Sequence, residues 1–291
     1  MLSPYQQDLG ENLGVKFGGE KLCLTLNDKK DYICHFRNLK FYLKQGMKLK
    51  KVHKILEFKQ SAWLKPYIEL NTKLRQEADN KFEEGFAKLM NNAFFGKTCE
   101  DVRKYKDIKI ARDGKKAQKL VSRPQYNQHT VYDENLVAIQ LKRTSVEMNK
   151  PRYIGQAILE ISKLVMYDFH YNFIMRKYPK AKLLFTDTDS FCYWIPTESN
   201  IYEDINGNHS LFDFSNYNTD HPNYDDSNIL IPGKFKDEMG GELILEFVGL
   251  RSKMYSILNY NEDNKKTAKG VIAEVKKNQI THVDFRTSLF D

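Results

Sequence analysis

Two aspartates one residue apart, Asp187 and Asp189, lie in the run Phe185-Thr-Asp-Thr-Asp-Ser190. The flanking stretches, Leu183-Leu-Phe185 and Phe191-Cys-Tyr-Trp-Ile195, read as strands, which puts the polar segment at a hairpin tip. Carboxylates held this close repel each other unless a cation or basic group offsets them. Their oxygens suit a hard divalent cation such as magnesium, with the hydroxyls of Thr188 and Ser190 beside them. The spacing alone leaves a solvated turn open, and also a sugar-nucleotide transferase site, which uses the same Asp-x-Asp.

A second group of candidates lies on the longest helical pattern. Leu70, Leu74, Phe82, Phe86, Leu89 and Met90 predict one helix from about Leu70 to Phe95, with Gly96 as its stop. Lys88 and Asn92 are four apart on it, Lys81 falls on the same face, and Arg75 sits nearer the helix start. Such a face can bind a triphosphate while Asn92, one turn on, reaches a sugar or base. The alternative is a solvated face balanced by Glu83 and Glu84.

These groups need a scaffold, and 291 residues suffice for one large or two small domains. With 46 Lys+Arg against 38 Asp+Glu and 13% aromatic residues, the balance suits a polyanion with stackable bases, although a solvated basic surface gives the same count. Cys23, Cys34, Cys99 and Cys192 are far apart with no CxxC pair, so reduced thiols and an intracellular setting are expected rather than a zinc ribbon or disulfide framework. The longest apolar runs, such as Leu243 to Leu250, are too short to span a bilayer, so no membrane partner is expected.

Along the chain, Lys21–Leu26 and Asp31–Phe36 read as a hairpin around Asn27-Asp28. Leu39, Tyr42 and Leu43 recur at helical spacing, and the lysine-rich stretch Lys48–Lys54 faces either phosphate or water. Asp107–Ala111 and Leu136–Leu141 read as strands around a loop rich in Lys, Gln and Gly. Ile154–Ile174 reads as a helix packed against a sheet through Ile158, Ile161, Leu164, Val165 and Phe169. Ile201–Ser227, rich in Asn, Asp and Tyr, reads as an irregular insertion or mobile loop, after which strands return from Gly233 to Tyr260. The lysine-rich tail from Lys265 is expected to form a small terminal lobe.

Taken in order, the motifs resemble those of family B DNA polymerases. Lys88-Leu-Met-Asn-Asn-Ala-Phe-Phe-Gly96 resembles the K-x3-N-S-x-Y-G fingers motif, Phe185–Ser190 the Y-x-D-T-D-S palm motif, and Lys253-Met-Tyr255 the later K-x-Y. Trp63–Asn71, Lys236–Glu238, Phe247–Lys253 and Lys269-Gly270 are similar to the protein-primed branch of viruses, linear plasmids and Polinton-type transposons. The resemblance implies an α+β fold: a palm of antiparallel sheet with packed helices, helical fingers and a small C-terminal thumb. On it residues 1–65 precede the fingers, 66–100 carry the fingers helix, 101–260 form the palm, and 261–291 begin the thumb.

It also implies roles. Asp189 resembles the principal metal ligand and Asp187 the neighbouring carboxylate near the primer end, in a reaction that uses two Mg2+ ions. Lys88 and Asn92, with Phe95 and Arg75, would meet the incoming dNTP. Lys253 and Tyr255 would steady the primer strand, and Lys269 would follow duplex phosphate. The partners are then a primer-template DNA, dNTPs and a terminal protein as primer.

The departures are specific. Phe95 and Phe185 stand where the family usually has Tyr, and Ala93 where Ser is usual. Each lost hydrogen bond is worth about 1 kcal/mol and tunes rather than abolishes activity. No D-x-x-S-L-Y-like strand precedes Lys88, and Asp213-Phe-Ser-Asn-Tyr217 follows Asp189 instead. The chain is therefore expected to be a truncated polymerase, lacking one carboxylate motif and the exonuclease region, or else a non-catalytic DNA-binding remnant of one.

Overall fold

A computed structural model describes residues 12, 27–198, 201–261 and 264–290. The expected strand Lys21–Leu26 lies outside these. Its expected partner is not a strand: the chain from Asp31 to His35 is irregular and ends as the cap of a helix. That helix, α1 (Phe36–Lys44), starts where His35 Nδ1 accepts from the Arg37 backbone N–H at 3.3 Å.

The predicted Leu70–Phe95 helix is two helices, α2 (Lys65–Gln76) and α3 (Lys81–Thr98), folded back on each other. Local capping overrides the continuous apolar period. Asn80 is extended, and its side chain accepts from Glu83 N–H at 3.0 Å, while the Glu83 carboxylate accepts from Asp79 N–H at 3.3 Å. Tyr67 donates to the Met90 carbonyl at 3.2 Å, and Asn71 to Asn91 at 2.9 Å, holding the pair together. Gly96 is not the stop, since α3 runs on to Thr98.

Strands β1 (Asp107–Ala111), β2 (Tyr126–Asp133) and β3 (Leu136–Leu141) form an antiparallel sheet in the order β1-β3-β2. The stretch between β1 and β3 is therefore no loop. It holds α4 (Gly114–Val121), capped by Asp113 to Lys116 N–H at 2.7 Å, and the strand β2. Ala111, Leu120, Ile139 and Leu141 close a small core between α4 and the sheet.

Helix α5 (Arg152–Asp168) uses only part of the face expected of it, Leu164 being half-buried and Phe169, just beyond its end, packed among aromatic rings. Ile158, Ile161 and Val165 are exposed, and the buried residues are Gly155, Glu160 and Met166, turned toward α1 and α3. Polar contacts override apolar period here: Asn38, fully buried, donates to the Glu160 carbonyl at 2.8 Å, and the Glu160 carboxylate pairs with Lys163 at 2.9 Å. The helix widens into a π-helical stretch, Phe169–Ile174. There Phe169 stacks on Phe235 at 3.9 Å and meets Phe212 edge-on at 5.8 Å.

Strands β4 (Lys182–Thr186) and β5 (Phe191–Trp194) form the expected hairpin. The segment read as an irregular loop instead carries α6 (Ile201–Asn206), β6 (Phe212–Asp213) and a buried cluster of Phe212, Phe214 and Tyr217, with β7 (Phe235–Lys236) pairing parallel to β6. Aromatic burial substitutes for the missing aliphatic period. Strands β8 (Ile244–Arg251), β9 (Met254–Asn259) and β10 (Asn264–Ala268) follow as an antiparallel sheet in the order β10-β9-β8. Helices α7 (Ala273–Asn278) and α8 (His282–Phe290) end the described chain. Phe285 of α8 packs on Val248 and Ala268, and His282 Nδ1 lies 2.8 Å from the buried Ser256 hydroxyl. The fold is thus mixed, with small antiparallel sheets and packed helices, and among the described residues no helix is long and apolar enough to cross a membrane.

The approach of α3 to α5 depends on Gly155. A Cβ there would fall 2.6 Å from Thr98 Oγ1 and closer still to Cys99 Sγ. Gly155→Ala gains about 1 kcal/mol of helix propensity but forces overpacking of about 1–3 kcal/mol. Net destabilisation of up to about 2 kcal/mol is expected, read as a lower urea midpoint at constant slope.

Candidate functional site

The hairpin tip is held by its own backbone. Asp187 N–H donates to the Ser190 carbonyl at 3.2 Å, Asp189 N–H to the Asp187 carbonyl at 2.7 Å, and the Ser190 hydroxyl to that same carbonyl at 3.3 Å. The bond from Asp189 back to Asp187 closes a three-residue turn around Thr188, whose φ is +62°. A β-branched residue rarely adopts that conformation, which costs on the order of 1–3 kcal/mol.

The facing hairpin, β8–β9, turns through Ser252-Lys253, and Lys253 is also left-handed at φ +58°. A position of this kind favours Gly or Asn. Here it aims the lysine ammonium at Asp187, 2.7 Å from Oδ1 and 2.5 Å from Oδ2. Below this pair Phe185 stacks on Tyr255 at 4.4 Å between ring centroids and on Phe247 at 5.6 Å. Gly249 makes room for Phe247, because a Cβ there would meet the ring at 3.0 Å. Between the hairpins lies a groove of about 330 Å³ lined by Phe185, Asp187, Phe247, Arg251, Lys253 and Tyr255, among others.

Burial pushes the Cys192 thiol up to about 11, raises the Tyr193 phenol, and lowers His170 below the usual imidazole value. His170 Nδ1 sits 2.9 Å from the Tyr193 hydroxyl, with the two rings stacked.

The structure brings together Asp187, Lys253 and Tyr255. Asp189 is exposed beside them, and among the described residues its carboxylate has no hydrogen-bond or ion-pair partner. Lys269 reaches the same sheet end: its N–H donates to the Lys253 carbonyl at 2.9 Å. The remaining candidates lie on the helical hairpin. Lys88 and Asn92 are exposed on α3 and Phe95 is half-buried. Arg75 is engaged, its Nη2 lying 2.9 Å from the Glu84 carboxylate, so its charge is already offset. No hydrogen bond or ion pair joins this hairpin to the Asp187 groove among the described residues.

Whether the residues fit a pair of divalent ions can be tested on the donor set. Among the described residues no three His, Cys, Asp or Glu side chains form a metal-holding group. Asp187 moreover already faces an ammonium. The described residues do not by themselves fit a two-ion site.

Phe247 and Arg251 belong to the stretch Phe247–Lys253 that carries the resemblance, but the sequence assigns neither a role in the site. Phe247 and Gly249 are two apart on β8 and share a face, but the register shifts between Gly249 and Arg251, so the place of Arg251 in the groove is not written in the period.

Residues 4–175 match the family model described as DNA polymerase type B, organellar and viral. No curated protein and no solved structure matches. The matched span includes the α2–α3 hairpin with Lys88, Asn92 and Phe95, and ends before β4, so Asp187, Asp189, Lys253, Tyr255 and Lys269 fall outside it. Covering more than half of the 291 residues, the match shows that the chain belongs to the type B DNA polymerases of the organellar and viral family.

Proposed function

We propose that the chain supplies the nucleotide-binding fingers and primer-gripping palm of a DNA-directed DNA polymerase of the protein-primed branch, acting in template-directed nucleotidyl transfer. The observation that carries this reading is the meeting of Asp187 with Lys253 and Tyr255 in one groove, since those residues belong to two separate sequence motifs. In this reading the Lys88 ammonium, exposed on α3, takes the triphosphate, and Asn92, one turn on, faces the sugar or base. Phe95 offers a ring for stacking. Tyr255, fixed by Phe185, borders the primer end. Sequence choice comes from template pairing, because the chain's cations meet phosphates rather than base edges. Mg2+ is the family's usual ion, and a further carboxylate from outside the described residues completes the set that Asp187 and Asp189 begin. A terminal protein as primer fits the same branch.

The incomplete carboxylate set favours one other reading, a non-catalytic DNA-binding remnant. Primer extension separates the two. The chain alone is expected not to extend a primer with Mg2+ or Mn2+, and to do so once the further carboxylate segment is supplied. Robust incorporation by the chain alone would show that no further carboxylate is needed, and failure with the segment present would favour the remnant.

In the active assembly Asp189→Asn is expected to abolish incorporation while leaving duplex affinity within about threefold. Equal loss of both, followed by primer extension and fluorescence anisotropy, would make the carboxylate structural. Lys88→Gln is expected to raise the KM for dNTP about tenfold or more, the equivalent of one charge-assisted hydrogen bond. An unchanged KM would remove Lys88 from the triphosphate site.

A further inference from the structure

The sequence points to Lys253 as the cation that holds the nucleic-acid strand, yet the structure commits that ammonium elsewhere. Both oxygens of Asp187 lie within 2.7 Å of it, and the backbone is left-handed at the lysine itself. A charge held in this way is partly offset within the protein, although the pair is part-exposed. With a carboxylate beside it, it releases fewer counterions when a polyanion arrives than an unpaired cation does.

Two residues before it, Arg251 lines the same groove. Its side chain is exposed and has no carboxylate, hydrogen-bond or ring partner among the described residues. It sits at the end of β8 opposite Met254, while Lys269 lies across β9 on the other side, tied by its N–H to the Lys253 carbonyl. The exposed Lys269 is likewise without an ion-pair partner among the described residues. Lys253 is therefore flanked on the sheet end by two cations whose charge is not offset. Arg251 is the one that borders the groove holding Tyr255 and Phe185.

We infer that Arg251 is the backbone-phosphate contact of this groove and that Lys253 is the internal counter-ion of Asp187. The inference rests on the DNA-binding reading above and refines it by exchanging the roles of two basic residues in one turn. A planar guanidinium at the groove edge grips a phosphate through two N–H donors, which a point charge on a flexible stem does less well. Phe185, Phe247 and Tyr255 give the groove an apolar floor, against which a sugar or base can lie while its phosphate meets Arg251.

Fluorescence anisotropy of a labelled primer-template duplex, titrated with the full chain over a range of KCl concentrations, reads this directly. Each lost phosphate contact lowers the steepness of log affinity against log salt by about one. Arg251→Gln is expected to lower the slope by that amount, and Lys253→Gln by less than half as much. Arg251→Lys keeps the charge and is expected to keep the slope near wild type. If Arg251→Gln leaves the slope unchanged, or Lys253→Gln lowers it as much or more, the inference is wrong. If Arg251→Lys loses as much slope as Arg251→Gln, the arginine acts through the fold and the inference again falls. Absence of any salt-dependent duplex binding by the wild-type chain would overturn the DNA-binding reading itself, which is a different result from wild-type binding that Arg251→Gln leaves intact.

Discussion

The groove depends on one aromatic contact, the stacking of Phe185 on Tyr255, with Phe247 on its other side. Among the described residues the β4–β5 hairpin and the β8–β9 hairpin belong to separate sheets, and no ladder hydrogen bond joins them. Stacked rings contribute about 0.5–1.5 kcal/mol beyond the area they bury. The Asp187–Lys253 pair above them is between a third and a half exposed, and pairs of that kind are worth about 0–1 kcal/mol. The rings therefore do more to set the approach of the hairpins than the ion pair does. Phe at position 185 in place of Tyr loses a hydroxyl and keeps the ring, which is the part this contact uses.

Strain is the second constraint. Thr188, next to Asp187, and Lys253 are both left-handed, each at a cost on the order of 1–3 kcal/mol. One partly exposed ion pair does not offset two such costs. The surrounding sheet and its α8 support, anchored by Phe285 and by the His282–Ser256 contact, must do so. Strain that persists against a local preference for glycine is expected where side-chain direction matters more than stability.

Much of this was legible in the sequence, for reasons that differ by element. The strands at 107–111, 136–141, 182–186 and 191–194 announced themselves by short apolar runs, and the acidic tip by its place between the last two. The break at Glu77–Asn80 was not legible from period, because apolar spacing continues across it and a single Asn cap decides the outcome. The buried face of α5 was legible only in part, because Gly155 and Glu160 gain from backbone approach and buried hydrogen bonds, which a count of apolar residues does not register. The aromatic core at Phe212, Phe214 and Tyr217 has no regular spacing at all, being built by turns.

The candidate site divides in the same way. Residue type and order put Asp187 in one motif and Lys253 and Tyr255 in another, and the structure brings the three to one groove; type alone assigns every basic residue to the ligand. Arg75 and Lys253 both turn out to face carboxylates of the protein, Glu84 and Asp187. Which lysine or arginine remains free is decided by pairings across a helix hairpin or across two sheets, and neither is written in local spacing. The turn at Ser252-Lys253 sharpens this further: Arg251 ends a strand just after a shift in its register, whereas Lys253 takes its direction from a left-handed backbone. Two cations two residues apart can therefore serve opposite ends of one site, one closing the charge inside it and the other offering charge to what comes in.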